Sequence, residues 1–197
     1  MKIKNLIFWL PLTLLLVTIF SCSSHDRDDI LNSLPEHDHD EMSKVILQFR
    51  NSSDPNLIRE YVYEVPEGST EIPITDISLP TGTYNVEIKF YSQHENHLHD
   101  VTDEIFIEDA DDHFVFYQKV DSKGLSITYA DHDNIDTLGR KLGHHTVWTV
   151  EDQAFSTVYI YLLHQPAKKD PEATSAALLG GEIDLEAHFT VKNKDIK

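Results

Sequence analysis

From Lys44 to the end of the chain, apolar and polar residues alternate with a period of two, and the period of about 3.6 that marks an amphipathic helix is almost nowhere sustained. In TGTYNVEIKFY, Tyr84, Val86, Ile88 and Phe90 share one face while Asn85, Glu87 and Lys89 share the other. Ile183, Leu185, Ala187, Phe189 and Val191 alternate in the same way with Asp184, Glu186, His188 and Thr190. Further strands are predicted near 44–50, 58–65, 101–107, 113–120, 124–130, 145–150 and 156–163. Asp54-Pro55, Pro66-Glu67-Gly68, Pro80-Thr81-Gly82, Ser122-Lys123-Gly124 and Gly180-Gly181 supply the turns between them. Residues 172–181 are expected to be loop with room for one helical turn. Many short strands at such spacing predict an all-β, antiparallel β-sandwich of immunoglobulin-like type over residues 43–193. Two small sandwiches in tandem, divided near 108–112, are the variant of this expectation.

The start of the chain has a different character. MKIKNLIFWLPLTLLLVTIFSC carries two lysines, an apolar run and a small residue before the chain's only cysteine. That pattern predicts a lipoprotein signal peptide over 1–21, cleavage before Cys22 and acylation of Cys22. The competing transmembrane reading rests on an apolar run that approaches the ~20 residues needed to cross a bilayer. With Cys22 acylated, no thiol is left for a disulfide, a thiolate ligand or a nucleophile. Residues 22–42 then form a flexible acidic tether between lipid and domain. Its early aspartates, Asp26, Asp28 and Asp29, resemble the acidic surface-export signal of some Bacteroidetes lipoproteins.

The formal charge is −18 for the whole chain, and removal of Lys2 and Lys4 with the signal peptide makes it −20. So acidic a surface repels nucleic acid and anionic lipid, and it favours cations. It also keeps an exported protein soluble, which is reason enough for the charge on its own.

All twelve histidines lie beyond the signal peptide, and many stand beside carboxylates. A site without thiolates is one of nitrogen and oxygen, suited to zinc, with copper and nickel as alternatives. The stretch SQHENHLHD places His94, His97, His99 and Asp100 at the end of a strand; histidines two apart on an extended chain point the same way and can chelate together. Taken as a hairpin turning at Ser122-Lys123, the next segment sets Phe116 across from Tyr129 and His113 across from His132, near enough for two imidazoles to share an ion. His37 and His39 in the tether make a low-affinity collector. Each cluster also has a bland reading as solvated loop histidines. His144 and His145 are read as residues at the start of a strand, and His188 as solvent-facing. Asp184, Glu186 and His188 form a polar row that a solvated sheet face explains. Asp131, Asp133 and Asp136 resemble a calcium loop, but Ile135 and Leu142 occupy ligand positions of the EF-hand pattern and no glycine stands at its sixth position, so Asx-turns at a hairpin are the better reading.

Enzyme motifs come close and miss. Leu98 stands where the second histidine of HExxH belongs, HDHDE follows HxHxDH only as far as Glu41, and there is no GxSxG and no phosphate-binding glycine loop. The chain is therefore expected not to be an enzyme.

TDEIFIEDADDHFVFYQ, GLSITYADHD, TVWTV, STVYIYLLHQPAK and GGEIDLEAHFTV, in that order across roughly 102–192, resemble a family of Bacteroidetes lipoproteins often labelled "type 1 periplasmic binding fold superfamily protein". LGRKLG departs from the glycine- and asparagine-rich turn expected there, which weakens any shared ion-binding role for that loop. The resemblance implies an outer-membrane lipoprotein, held by its lipid, working beside a TonB-dependent receptor in uptake. The label implies alternating strands and helices, whereas this pattern is strand nearly throughout. The expected function is capture of a divalent transition metal, zinc first, with ligation weakening as pH falls through the free histidine pKa of ~6.5. The rival is a non-catalytic immunoglobulin-like adhesion or interaction module that binds protein or glycan through exposed aromatics such as Tyr91, Tyr159 and Tyr161.

Overall fold

The computed structural model describes residues 42–65, 72–94 and 97–194, all within one compact unit. The fold is all-β. Its strands are β1 (Met42–Asn51), β2 (Ile58–Glu64), β3 (Ile74–Leu79), β4 (Gly82–His94), β5 (His97–Asp100), β6 (His113–Tyr129), β7 (His145–His164) and β8 (Glu182–Asn193). One sheet follows the path β2-β1-β4-β7-β8-β3, with β5 added beside β4 and β6 beside β7. Pairing is antiparallel except between β3 and β8. The ends of the path nearly meet: Tyr61 Oη on β2 donates to the Ser78 carbonyl on β3 at 2.7 Å, and Thr75 Oγ1 donates to the Val62 carbonyl at 2.9 Å. Side chains thus bridge the seam of a sheet nearly closed into a barrel, which protects otherwise bare strand edges.

The long strands β6 and β7 shape the barrel. The first half of β7 lies between β4 and the second half of β6, and its second half lies between β8 and the first half of β6. The turn expected at Ser122-Lys123-Gly124 is not a turn. The chain continues through it as a bulge, with positive φ at Asp121 and Gly124 opposite a positive φ at Gln153. A turn-forming glycine and a bulge glycine carry the same local signal, because both supply a left-handed residue. The consequence for register is decisive: His113 faces His164, not His132, and the opposed His113–His132 pair does not form.

Residues 101–107 also depart from the predicted strand. Glu104–Glu108 form a single π-helical turn, closed by Asp109 N–H donating to the Glu104 carbonyl at 2.8 Å. Asp100 starts it by accepting Thr102 N–H at 3.0 Å. Adjacent Ile105 and Phe106 are both buried while Ile107 is exposed, an arrangement that alternation along a strand forbids. β3 and β5 are strands the sequence did not predict. Ile183, expected inside, is exposed because the β7–β8 register shifts at Leu162/Leu163.

One apolar cluster fills the interior, from Val45 on β1 to Val191 on β8, and spans either side of residues 108–112. Phe49 meets Trp148 edge-on at 5.1 Å between ring centres and Tyr84 at 6.1 Å, tying β1, β4 and β7 together. Truncating such a ring costs roughly 3–5 kcal/mol. Glu87 and His145 point away from this core, onto the outer face of the same three strands.

Candidate metal centre

The segment entering β7 is held from every side. Asp131, itself buried, accepts Gly143 N–H on Oδ2 and His145 N–H on Oδ1, each at 2.8 Å. Tyr117 Oη donates to the Gly143 carbonyl at 2.8 Å. The His144 carbonyl accepts Ile88 N–H from β4, and the His145 carbonyl accepts Ala130 N–H. Gly143 has φ +86°, and a Cβ there would sit 2.6 Å from the Val115 carbonyl oxygen, so no side chain fits. This lattice fixes the point at which the backbone becomes a strand, and hence where both histidine rings lie.

His144, just before β7, stacks on Phe106 of the helical turn at 4.2 Å between ring centres and 11° between planes. His145 is the first residue of β7, and its Cα partner on β4 is Glu87. The two imidazoles stand 4.1 Å apart, and His144 Nε2 lies 3.9 Å from Glu87 Oε1. One donor atom from each of Glu87, His144 and His145 falls within 4.8 Å of the others. Among the described residues this is the group of three that can share an ion.

The His144 side chain keeps 8% of its exposure, yet its Nε2 has no hydrogen-bond partner. A buried polar atom left unpaired costs roughly 1–3 kcal/mol, so an arrangement that retains one calls for a reason. Burial, reinforced by His145 and then by Lys89, pushes the His144 pKa down to about 3, which keeps the ring neutral as ligation requires. On its other side, Nδ1 meets the Asn134 amide at 2.8 Å. With Nδ2 of Asn134 facing it, Nδ1 accepts and the proton sits on Nε2. With the amide turned over, Oδ1 accepts Nδ1–H and the Nε2 lone pair is free for a cation. Glu87 also makes an ion pair with Lys89 at 3.6 Å, which a metal competes with.

A groove of about 460 Å³ adjoins the centre on the outer face of β1, β4 and β7, its lining including Glu87, His145, Arg50, His132, Asp133 and Asn134.

The other proposed ligands lie elsewhere. His94 and His97, the end of β4 and the start of β5, are Cα partners; His97, His99 and Asp100 are exposed, and the side chain of His94 is outside the described residues, as are Cys22, His37 and His39. Asp100 is engaged by Thr102, and burial notwithstanding, its hydrogen bonds to Thr102 and Tyr91 lower its pKa. His132 is exposed but lines the groove beside His145. His113 stacks on His164 at 5.1 Å, and its Nε2 lies 3.7 Å from Asp184 Oδ2. His188 Nε2 contacts Glu186 Oε1 at 2.7 Å. In the acidic loop, Asp136 accepts the N–H groups of Leu138 and Arg140 and pairs with the Arg140 and Lys169 side chains, the Asx-turn expected there.

No known protein family, curated protein or solved structure matches this chain. Sequence reasoning missed Glu87 and set His144 and His145 aside. Their adjacency was the available signal, but adjacent residues within a strand point to opposite faces. Here the first of the pair precedes the strand and escapes that rule.

Proposed function

We propose that this chain is an outer-membrane lipoprotein that captures a divalent transition metal, zinc foremost, at Glu87, His144 and His145. The observation that carries the reading is the buried, unpartnered Nε2 of His144 beside a carboxylate and a second imidazole. Two imidazoles and one carboxylate form a donor set suited to zinc, and three protein ligands leave a position through which an ion enters and leaves. In this reading Cys22 carries the lipid, and His37, His39 and His94, with the exposed His97, His99 and Asp100, collect the ion weakly. A TonB-dependent receptor receives it. The barrel-like sheet serves as an immunoglobulin-like sandwich whose edges have been drawn together, and no catalytic step is assigned to it.

A second reading, an interaction module, draws on Ile58, Val62 and Ile74, which are exposed on the outer faces of β2 and β3. The two separate by metal content and calorimetry on the untagged, purified chain. Stoichiometric zinc binding lost on changing His144 and His145 to alanine supports the metal reading. Binding that survives those changes and disappears with His97 and His99 moves the site to the hairpin, and no binding at all leaves the interaction module.

A further inference from the structure

We propose that the metal is held together with a small di- or tricarboxylate, which lies in the adjoining groove, takes the open coordination position and reaches Arg50. This rests on the metal reading above and names the form in which the ion is bound.

Three observations lead there. Glu87 and His145 are both ligands of the candidate centre and walls of the groove, so an ion bound to them presents its free position to that space. The volume, about 460 Å³, falls in the range of sites that enclose small organic ligands, roughly 300–1,000 Å³, and far exceeds what one water needs. Finally, the charges are arranged for an anion once the metal is in place. A divalent ion on one carboxylate and two neutral imidazoles keeps one positive charge, Arg50 adds another, and Asp133 is the one acid opposing them in the lining.

The register sets the scale. Gln48 is the Cα partner of Glu87, and Arg50 that of Asn85, so Arg50 stands two residues along the same outer face from the row that holds Glu87 and His145. Two residues of strand span about 6.6–6.8 Å. A short-chain dicarboxylate bridges that interval with one end on the metal and the other in the guanidinium fork, which suits a carboxylate in bidentate geometry. Arg50 already donates from Nη1 to the Pro55 carbonyl at 3.2 Å, a contact that steadies the side chain while leaving other donors to face the groove. The His144 ring, buried under Phe106, cannot supply the fourth donor a second time, and no other carboxylate or imidazole joins the group of three among the described residues.

The test uses labelled malate, a weak zinc chelator in solution, in equilibrium dialysis against the full chain with and without zinc. Zinc content is measured on the same samples. The expected result is at least tenfold more malate retained by the zinc-loaded protein than by the zinc-free one. Arg50→Gln should abolish that retention while its zinc content and its affinity for zinc alone stay unchanged. Malate retention that is equal with and without zinc, or that survives Arg50→Gln, overturns the proposal and leaves the metal site standing. A chain that takes up no zinc removes both.

Discussion

Changing Asp131 to asparagine removes one negative charge and almost no volume, yet it strikes the residue on which the metal centre is hung. Asp131 is 4% exposed, and its two oxygens accept backbone N–H groups on either side of His144, both at 2.8 Å. Hydrogen bonds to a charged group contribute about 1.5–3 kcal/mol each, and a buried donor left unpaired costs about 1–3 kcal/mol. The asparagine carbonyl keeps one of the two bonds. Its NH₂ is then pressed against the other backbone N–H, a donor against a donor. The loss overlaps with the desolvation of that N–H, so the expected destabilisation is about 2–4 kcal/mol rather than the full sum. Urea unfolding at neutral pH measures it as a drop in midpoint at unchanged slope. Because Gly143 and His145 are the anchored residues, zinc affinity should fall with stability, and Asp131→Ala should do worse on both counts. A change below about 0.5 kcal/mol in Asp131→Asn, the size typical of an uninvolved surface position, would refute the claim that this carboxylate holds the segment.

Gly143→Ala tests the same segment from the backbone side. A left-handed alanine costs about 1–2 kcal/mol before its Cβ meets the Val115 oxygen, so a loss of about 3 kcal/mol in denaturant midpoint and weaker zinc binding are expected; an unchanged midpoint would show that the segment can shift freely. The Asn134 contact predicts that Asn134→Asp tightens zinc, because a carboxylate accepts Nδ1–H outright, whereas Asn134→Ala loosens it roughly 10- to 100-fold by calorimetry. Acid should destabilise the metal-free protein through His144: with a folded pKa of about 3 against ~6.5 unfolded, the unfolded chain alone takes up the proton as pH falls below 6.5. Stability is thus full above pH 6.5 and about 2 kcal/mol lower at pH 5 from this group, while His144→Phe, which keeps the stack on Phe106, should flatten that slope. His97→Ala and His99→Ala, both on an exposed hairpin, should move stability by less than about 0.5 kcal/mol and leave the tightest zinc site intact.

The sequence made the fold class legible through β1, β4 and β8, where the apolar stripe is long and the outer face polar. It misled where a local signal has two structural meanings. Ser122-Lys123-Gly124 reads as a turn, but the left-handed glycine serves a bulge inside a long strand, and only the pairing of β6 with β7 over its whole length decides between them. The 101–107 segment reads as strand because Ile105 and Ile107 alternate. Burying Ile105 and Phe106 together offers the core more apolar surface, and the hydrogen bond of Asp100 to Thr102 turns the chain to allow it. β3 was overlooked because only Ile77 and Leu79 reach the core, while its outer residues include the exposed Ile74.

The candidate centre was legible only in its parts, for a reason built into sheets. A site on a sheet face is composed by register, and register is a property of pairs of strands, not of any one of them. Glu87 looks like one of three polar residues on a clean strand, and His145 like the first residue of another; their opposition across β4 and β7 appears once Val86 is set against Thr146. The histidine-rich stretch from His94 to His99 drew attention because its density is local, but His97 and His99 are exposed, and in water an imidazole loses nothing by staying unligated. His144 is the opposite case. One histidine, unremarkable in the sequence, is enclosed by Phe106, Asn134 and the Asp131 clamp until its Nε2 is buried without a hydrogen-bond partner in the protein. Affinity for a metal depends on what the free site gives up on binding as well as on the ligands counted, and a buried, neutral nitrogen with no hydrogen bond of its own has no such bond to give up, so the cost falls on turning the Asn134 amide and releasing Glu87 from Lys89. Histidine density marks where ions can collect, while enclosure marks where one can be held.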